Sequence, residues 1–107
     1  MAIAGVFGSS FETIVAMTDT LTLTAAQANV NLVYGAAGMG AKTLTLPAIA
    51  QMVASQNPFI QVTCPSDGGG SITVAGNSVD AIKGQVTVAV ATAVRYYHDG
   101  IHTWFPA

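Results

Sequence analysis

The chain has 107 residues, enough for one domain with a single modest core. Charged residues make up 7% of it, where about 25% is usual for soluble domains, while apolar residues reach 51%, much of that alanine. A net charge of −2, with Lys42, Lys83 and Arg95 as its scattered bases, excludes a nucleic-acid partner, because phosphate binding needs a clustered basic face.

Residues 1–11, MAIAGVFGSSF, read as a small apolar arm without clear periodicity. The arm lacks a basic n-region and is broken by Gly5 and Gly8, which makes it a poor signal peptide. No apolar run reaches transmembrane length, so no membrane partner is expected and synthesis in the cytoplasm fits best. Glu12–Met17 and Asp19–Thr24 then read as strands. In TDTLTLTAAQ, Leu21 and Leu23 alternate with Thr20, Thr22 and Thr24, the period of a half-buried strand. Asn29–Tyr34 gives a third short run, and GAAGMGAK a flexible loop.

Lys42–Leu46 alternates again and Pro47 ends it, since proline cannot donate to a ladder. Between Pro47 and Pro58 there is room for two helical turns at most. Ile49, Met52 and Val53 at i, i+3 and i+4 would bury one face of them. Phe59–Cys64 follows as a strand, PSDGGGS as a connection, and then Ile72–Ala75, Ser78–Ile82, Gln85–Ala91, Arg95–His98 and Ile101–Phe105. Some nine short strands punctuated by Gly, Pro, Asn and Asp predict an all-β fold. The expected form is an antiparallel β-sandwich or jelly-roll-like barrel with at most one short helix, residues 12–107 forming a single β-domain behind the arm.

The chemically capable residues crowd into RYYHDGIHTW, Arg95 to Trp104. Asp99-Gly100 between strand formers is a strong hairpin signal, because a type I′ turn needs positive φ at both central positions. A two-residue loop pairs His98 with Ile101, Tyr97 with His102 and Arg95 with Trp104. One face then carries Arg95, Tyr97, His102 and Trp104, and the other Tyr96, His98, Ile101 and Thr103. That register points the two histidines opposite ways, which disfavours a metal site, and no metal or other cofactor is expected. It also permits an Arg95–Trp104 cation–π contact of ~0.5–1 kcal/mol.

The remaining candidates are weaker. Cys64 is the single cysteine, so no internal disulfide exists, and in QVTCPSD it reads as a small core hydrophobe rather than a nucleophile. The five acids include no close pair for two-carboxylate chemistry. DGGGS has no following lysine or helix and reads as a plain hairpin connection, not a phosphate loop. Trp104, Tyr96 and Tyr97 could stack on sugar, but closing hairpins also use aromatics to plug a core. The chain is not expected to be an enzyme.

From Lys42 onward the order of motifs is KTLTLPAIA, NPFIQVTCPSDGGGSITVAG, NSVDAIKG and VTVAVATAVRYYHDGIHTW. It resembles a β-domain of tailed-bacteriophage virion proteins. The matching positions are Thr45-Leu46-Pro47, Ile60 and Val62, Ile72-Thr73-Val74, Asp80 to Gly84, and Asp99-Gly100 with Trp104. Upstream, TDTLTLTAAQANVNLVYGAA is similar to the family's opening. The likeness spans about residues 18–105, and its motifs are turns and strand ends. Where the family closes with a plain DGTNW turn, this chain has His98 before the turn and Ile101-His102 inside it.

The resemblance implies a virion structural protein, homotrimeric and without enzymatic activity, placed either on a capsid surface or at the tip of a tail fibre or spike. A chain that begins with Met1 and a short arm looks more like a capsid decoration (cement) protein, bound to the major capsid protein or other virion proteins and stabilising the shell by burying surface between capsomers. The alternative is a receptor-binding tip that recognises a host glycan or protein. Low charge agrees with the first expectation. A monomer normally covers itself with Lys and Glu, and this one cannot, whereas subunit interfaces are poor in charge at their centres. Ile3, Val6, Phe7 and Phe11 of the arm, with Arg95, Tyr97 and Trp104 of the hairpin, are the interface candidates.

Overall fold

A computed structural model of the chain describes residues 14–24, 32–50 and 59–107. Threonine, valine and isoleucine alternate through these segments and produce ten strands, as β-branched residues suit a pleated, half-buried surface. They are β1 (Ile14–Met17), β2 (Leu21–Thr22), β3 (Leu32–Gly35), β4 (Lys42–Thr45), β5 (Phe59–Cys64), β6 (Ile72–Ala75), β7 (Ala81–Ile82), β8 (Thr87–Val88), β9 (Thr92–His98) and β10 (Thr103–Pro106). The protein is therefore all-β in its described residues. A helical turn starts at Ile49, where the Asp80 Oδ2 accepts the Ile49 N–H at 2.9 Å; Met52 and Val53 lie outside the described residues.

The strands form two mixed sheets, one in the order β1-β3-β5-β9-β10-β7 and one in the order β2-β4-β6-β8. Up to β6 the chain alternates between the sheets, odd strands entering the first and even strands the second. Each return runs in the same direction as the strand it joins, so β1, β3 and β5 are parallel, as are β2, β4 and β6. After β6 the chain reverses. β8 pairs antiparallel with β6, β9 with β5, and β10 with β9, while β7 lies parallel to β10.

This overturns the antiparallel expectation, since five of the eight pairings among the described residues are parallel. The cause lies in the turns. Glycine-rich connections that look like hairpins here carry the chain from one sheet to the other. The DGGGS connection, expected as a hairpin, is such a corner, and it stacks on the corner before it. Gly38 N–H donates to Asp67 O and Gly40 N–H to Gly68 O, both at 2.7 Å. A Cβ on Gly70 would stand 2.5 Å from the Ala41 backbone nitrogen, so glycine is what lets the two corners touch.

Alternation then decides burial. In β5, Ile60, Val62 and Cys64 are buried while Phe59, Gln61 and Thr63 are half-buried. Leu44, Leu46, Ile72, Val74 and Val88 come from the second sheet's side, and Met17, Val33, Val94, Tyr96 and Trp104 from the first. All belong to one core cluster. The Tyr96 hydroxyl donates to Gln85 O at 2.9 Å, which satisfies the polar end of a ring otherwise sealed in the core.

Candidate functional site

The Arg95–Trp104 segment forms the expected hairpin between β9 and β10, but in a different register. Trp104 pairs with His98, Phe105 with Tyr97 and Pro106 with Tyr96. That is a shift of three residues from the two-residue-loop pairing. Asp99 causes it. Its Oδ1 accepts the backbone N–H groups of Ile101, His102 and Thr103 at 2.8, 3.0 and 3.1 Å, and its own N–H closes the loop on Thr103 O at 3.0 Å. Three donors gathered on one oxygen favour a wide loop over a tight turn. The Ile101 N–H, opposed by some desolvation and helped by the Thr103 and His102 N–H groups, holds the Asp99 carboxyl below its ordinary range.

An odd shift exchanges the faces of a strand. Trp104 is consequently not on the surface with Arg95 and Tyr97, as expected, but fully buried beside Tyr96. The expected Arg95–Trp104 contact is replaced. Arg95 lies over the Phe59 ring, 4.6 Å from its centroid, and its Nε–H donates to Gln61 Oε1 at 3.0 Å. Trp104 instead meets the His98 ring edge-on at 5.3 Å.

The histidines are engaged separately. Gly100 N–H donates to His98 Nδ1 at 3.1 Å, and His102 Nδ1 meets Thr103 Oγ1 at 3.1 Å. Among the described residues no three His, Cys, Asp or Glu side chains converge on a point that could hold a metal. Cys64 is buried, its thiol directed at Gly70 O at 3.1 Å. Of the three aromatics considered for sugar stacking, Tyr96 and Trp104 are sealed in the core and Tyr97 alone faces outward.

What the register assembles is the outer face of the six-stranded sheet. Across the strands, Phe59, Tyr97 and Phe105 form one row. Ile14, Leu32, Gln61 and Arg95 form the next, and Ala16, Tyr34, Thr63 and Ala93 the third. Phe59 and Tyr97 pack with ring centroids 5.6 Å apart. Ile14, Tyr34 and Phe105 remain 49%, 41% and 44% exposed, and Arg95 is the one charge in these rows. Such apolar area, gathered on one face and nearly free of charge, suits contact with another surface.

A second apolar feature sits at the hairpin tip. Ile101 is 69% exposed and Val79 84%, and the Ala81 N–H, two residues after Val79, donates to His102 O at 2.9 Å.

Of the seven interface candidates read from sequence, Arg95 and Tyr97 lie on the outer face, Trp104 lies in the core, and Ile3, Val6, Phe7 and Phe11 fall outside the described residues. Ile14, Leu32, Tyr34, Phe59 and Phe105 were not singled out. Their only sequence signal is alternation within each strand, which separates two faces without saying which strands lie side by side. No protein-family model, curated protein or solved structure matches this chain.

Proposed function

We propose that this chain is a virion structural protein of a tailed bacteriophage, a homotrimeric capsid decoration protein that strengthens the shell by burying surface between capsomers. Its partners would be further copies of itself and the major capsid protein, and its place the capsid surface after synthesis in the host cytoplasm. The observation that carries this reading is the outer face built on Phe59, Tyr97, Phe105, Ile14, Leu32 and Tyr34, with one charge to desolvate. The motif resemblance from Thr18 to Phe105 supports the phage assignment. Within it, the two sheets face each other as a sandwich, a reading supported by the single core to which both contribute.

The test is the native mass of the purified chain at micromolar concentration, by light scattering or native mass spectrometry. A stable trimer is expected, and Phe105→Glu combined with Tyr97→Glu should dissociate it. A monomer at every concentration would sink the self-sufficient trimer.

The exposed pair Val79 and Ile101 favours a second reading, a receptor-binding tip of a tail fibre or spike. Ile101→Ser with Val79→Ser should then abolish host-cell binding while leaving the native mass unchanged.

A further inference from the structure

The sequence holds two Asp-Gly pairs, Asp67-Gly68 in the corner between β5 and β6 and Asp99-Gly100 in the closing hairpin. An aspartate followed by glycine can react with its own backbone, because glycine puts no Cβ in the way of attack by its nitrogen. The nitrogen needs a path to the side-chain Cγ, and the carboxyl must be protonated, since a carboxylate is a poor electrophile. The fold treats the two pairs oppositely.

At Asp99 both reactants are held. Oδ1 accepts three N–H groups, which favour the ionised form, and the Gly100 N–H donates to His98 Nδ1 at 3.1 Å. Those four bonds must break before nitrogen and carboxyl can meet. At Asp67 the side chain is exposed and no described residue donates to its carboxyl. The Gly68 nitrogen is restrained by one bond, its N–H donating to Pro65 O at 3.1 Å. Gly69, at φ +82°, and Gly70 follow, so the chain beyond has the freedom to take up a rotation of the Asp67–Gly68 peptide.

We propose that Asp67-Gly68 is a site of spontaneous backbone isomerisation whose product unlocks the two stacked corners. The Gly68 nitrogen bonds to Asp67 Cγ, the C–OH bond breaks, and the hydroxyl leaves with the proton of that nitrogen as water, giving a cyclic imide. Water then adds at the Asp67 main-chain carbonyl carbon and the bond from that carbon to nitrogen breaks. The chain now runs through the side chain and leaves a free α-carboxylate, with mass unchanged and no reactant beyond water. The main chain gains a methylene, and the carbonyl oxygen that accepted the Gly38 N–H at 2.7 Å becomes part of the carboxylate, out of the backbone path. The bond from Gly40 N–H to Gly68 O is displaced with it. The corner lies outside the rows of the outer face, so the reaction depends neither on the trimer contact nor on the virion reading. In an assembled particle, where no chain is replaced, the change would accumulate with age.

The test ages the full chain in warm, mildly acidic buffer, both natively and in urea, and locates isoaspartate by peptide mass spectrometry with electron-transfer fragmentation. Natively, isoaspartate at residue 67 should exceed that at residue 99 severalfold, while in urea the two should form at similar rates. Asp67→Glu keeps the charge but disfavours the ring, and should abolish the native product. Aged chains carrying isoaspartate at residue 67, separated by chromatography, should unfold at lower urea than fresh ones by Trp104 fluorescence. Equal native rates at the two sites, or a faster rate at residue 99, would overturn the selectivity. So would a native chain that forms none at residue 67 while the chain in urea does. An unchanged urea midpoint in the aged fraction would overturn the unlocking.

Discussion

Gly70→Ala should be among the most damaging single-methyl additions this fold can receive. The added Cβ would meet the Ala41 nitrogen at 2.5 Å, Ala41 Cα at 2.9 Å and the Gly40 carbonyl carbon at 2.9 Å. All three are backbone atoms, so no side-chain rotation relieves the overlap and the two stacked corners must separate. Separation threatens the bonds from Gly38 N–H to Asp67 O and from Gly40 N–H to Gly68 O, and the Cys64 thiol contact with Gly70 O. At about 1 kcal/mol for each backbone bond, plus backbone strain, the loss is roughly 2–4 kcal/mol. Gly40→Ala is the control. Its φ of +84° disfavours alanine, but nothing stands within 4 Å of its Cβ, so only the conformational cost of about 1–2 kcal/mol applies. Urea unfolding followed by the fluorescence of Trp104, the single tryptophan and fully buried, reads both variants with a built-in core probe. If Gly40→Ala costs as much as Gly70→Ala, the corners are not in contact and the stacking account fails.

Three further outcomes are expected. Trp104→Ala should cost about 3–5 kcal/mol, against about 1 kcal/mol or less for the neighbouring exposed Phe105→Ala, by urea unfolding followed by circular dichroism. Equal losses would restore the two-residue hairpin register that puts Trp104 outside. Asp99→Ala should destabilise the chain at neutral pH, because three N–H donors lose one acceptor. Since the folded carboxyl titrates below its unfolded value of about 3.9, its contribution is present above that pH and lost as pH falls through the folded value. A wild-type stability profile that parallels that of Asp99→Ala across this acid range would refute the role. Burial pushes the Tyr96 hydroxyl up to about 12. Its stabilising contribution is therefore full below pH 10 and declines between pH 10 and 12. Ultraviolet titration should reveal one late-ionising phenol that disappears in Tyr96→Phe, and no change in that variant would be contrary evidence.

Local chemistry made much of the strand list legible. Phe59–Cys64 and Ile72–Ala75 are bounded as their alternation and flanking turn residues indicate, and Pro47 stands just beyond Lys42–Thr45. The strands at Ala81–Ile82 and Thr87–Val88 are shorter than their apolar runs, because a run of β-formers becomes strand only where a neighbour offers a ladder. The candidate surface was less legible. Arg95 and Tyr97 stood out by residue type, yet Phe59 joins them only through a pairing that links positions more than thirty residues apart.

The sequence by itself determined that this is an all-β chain poor in charge, where its turns fall, and which side chains in each strand share a face, because those properties repeat every two residues or sit in one turn. Only the tertiary structure decided which way each strand runs beside its neighbour and which face of the closing hairpin is buried. Parallel return from sheet to sheet depends on corners packing against corners, and the place of Trp104 depends on one carboxylate collecting three N–H groups. Neither is a property of a window of sequence; both come from satisfying backbone hydrogen bonds and burying large rings in one three-dimensional arrangement.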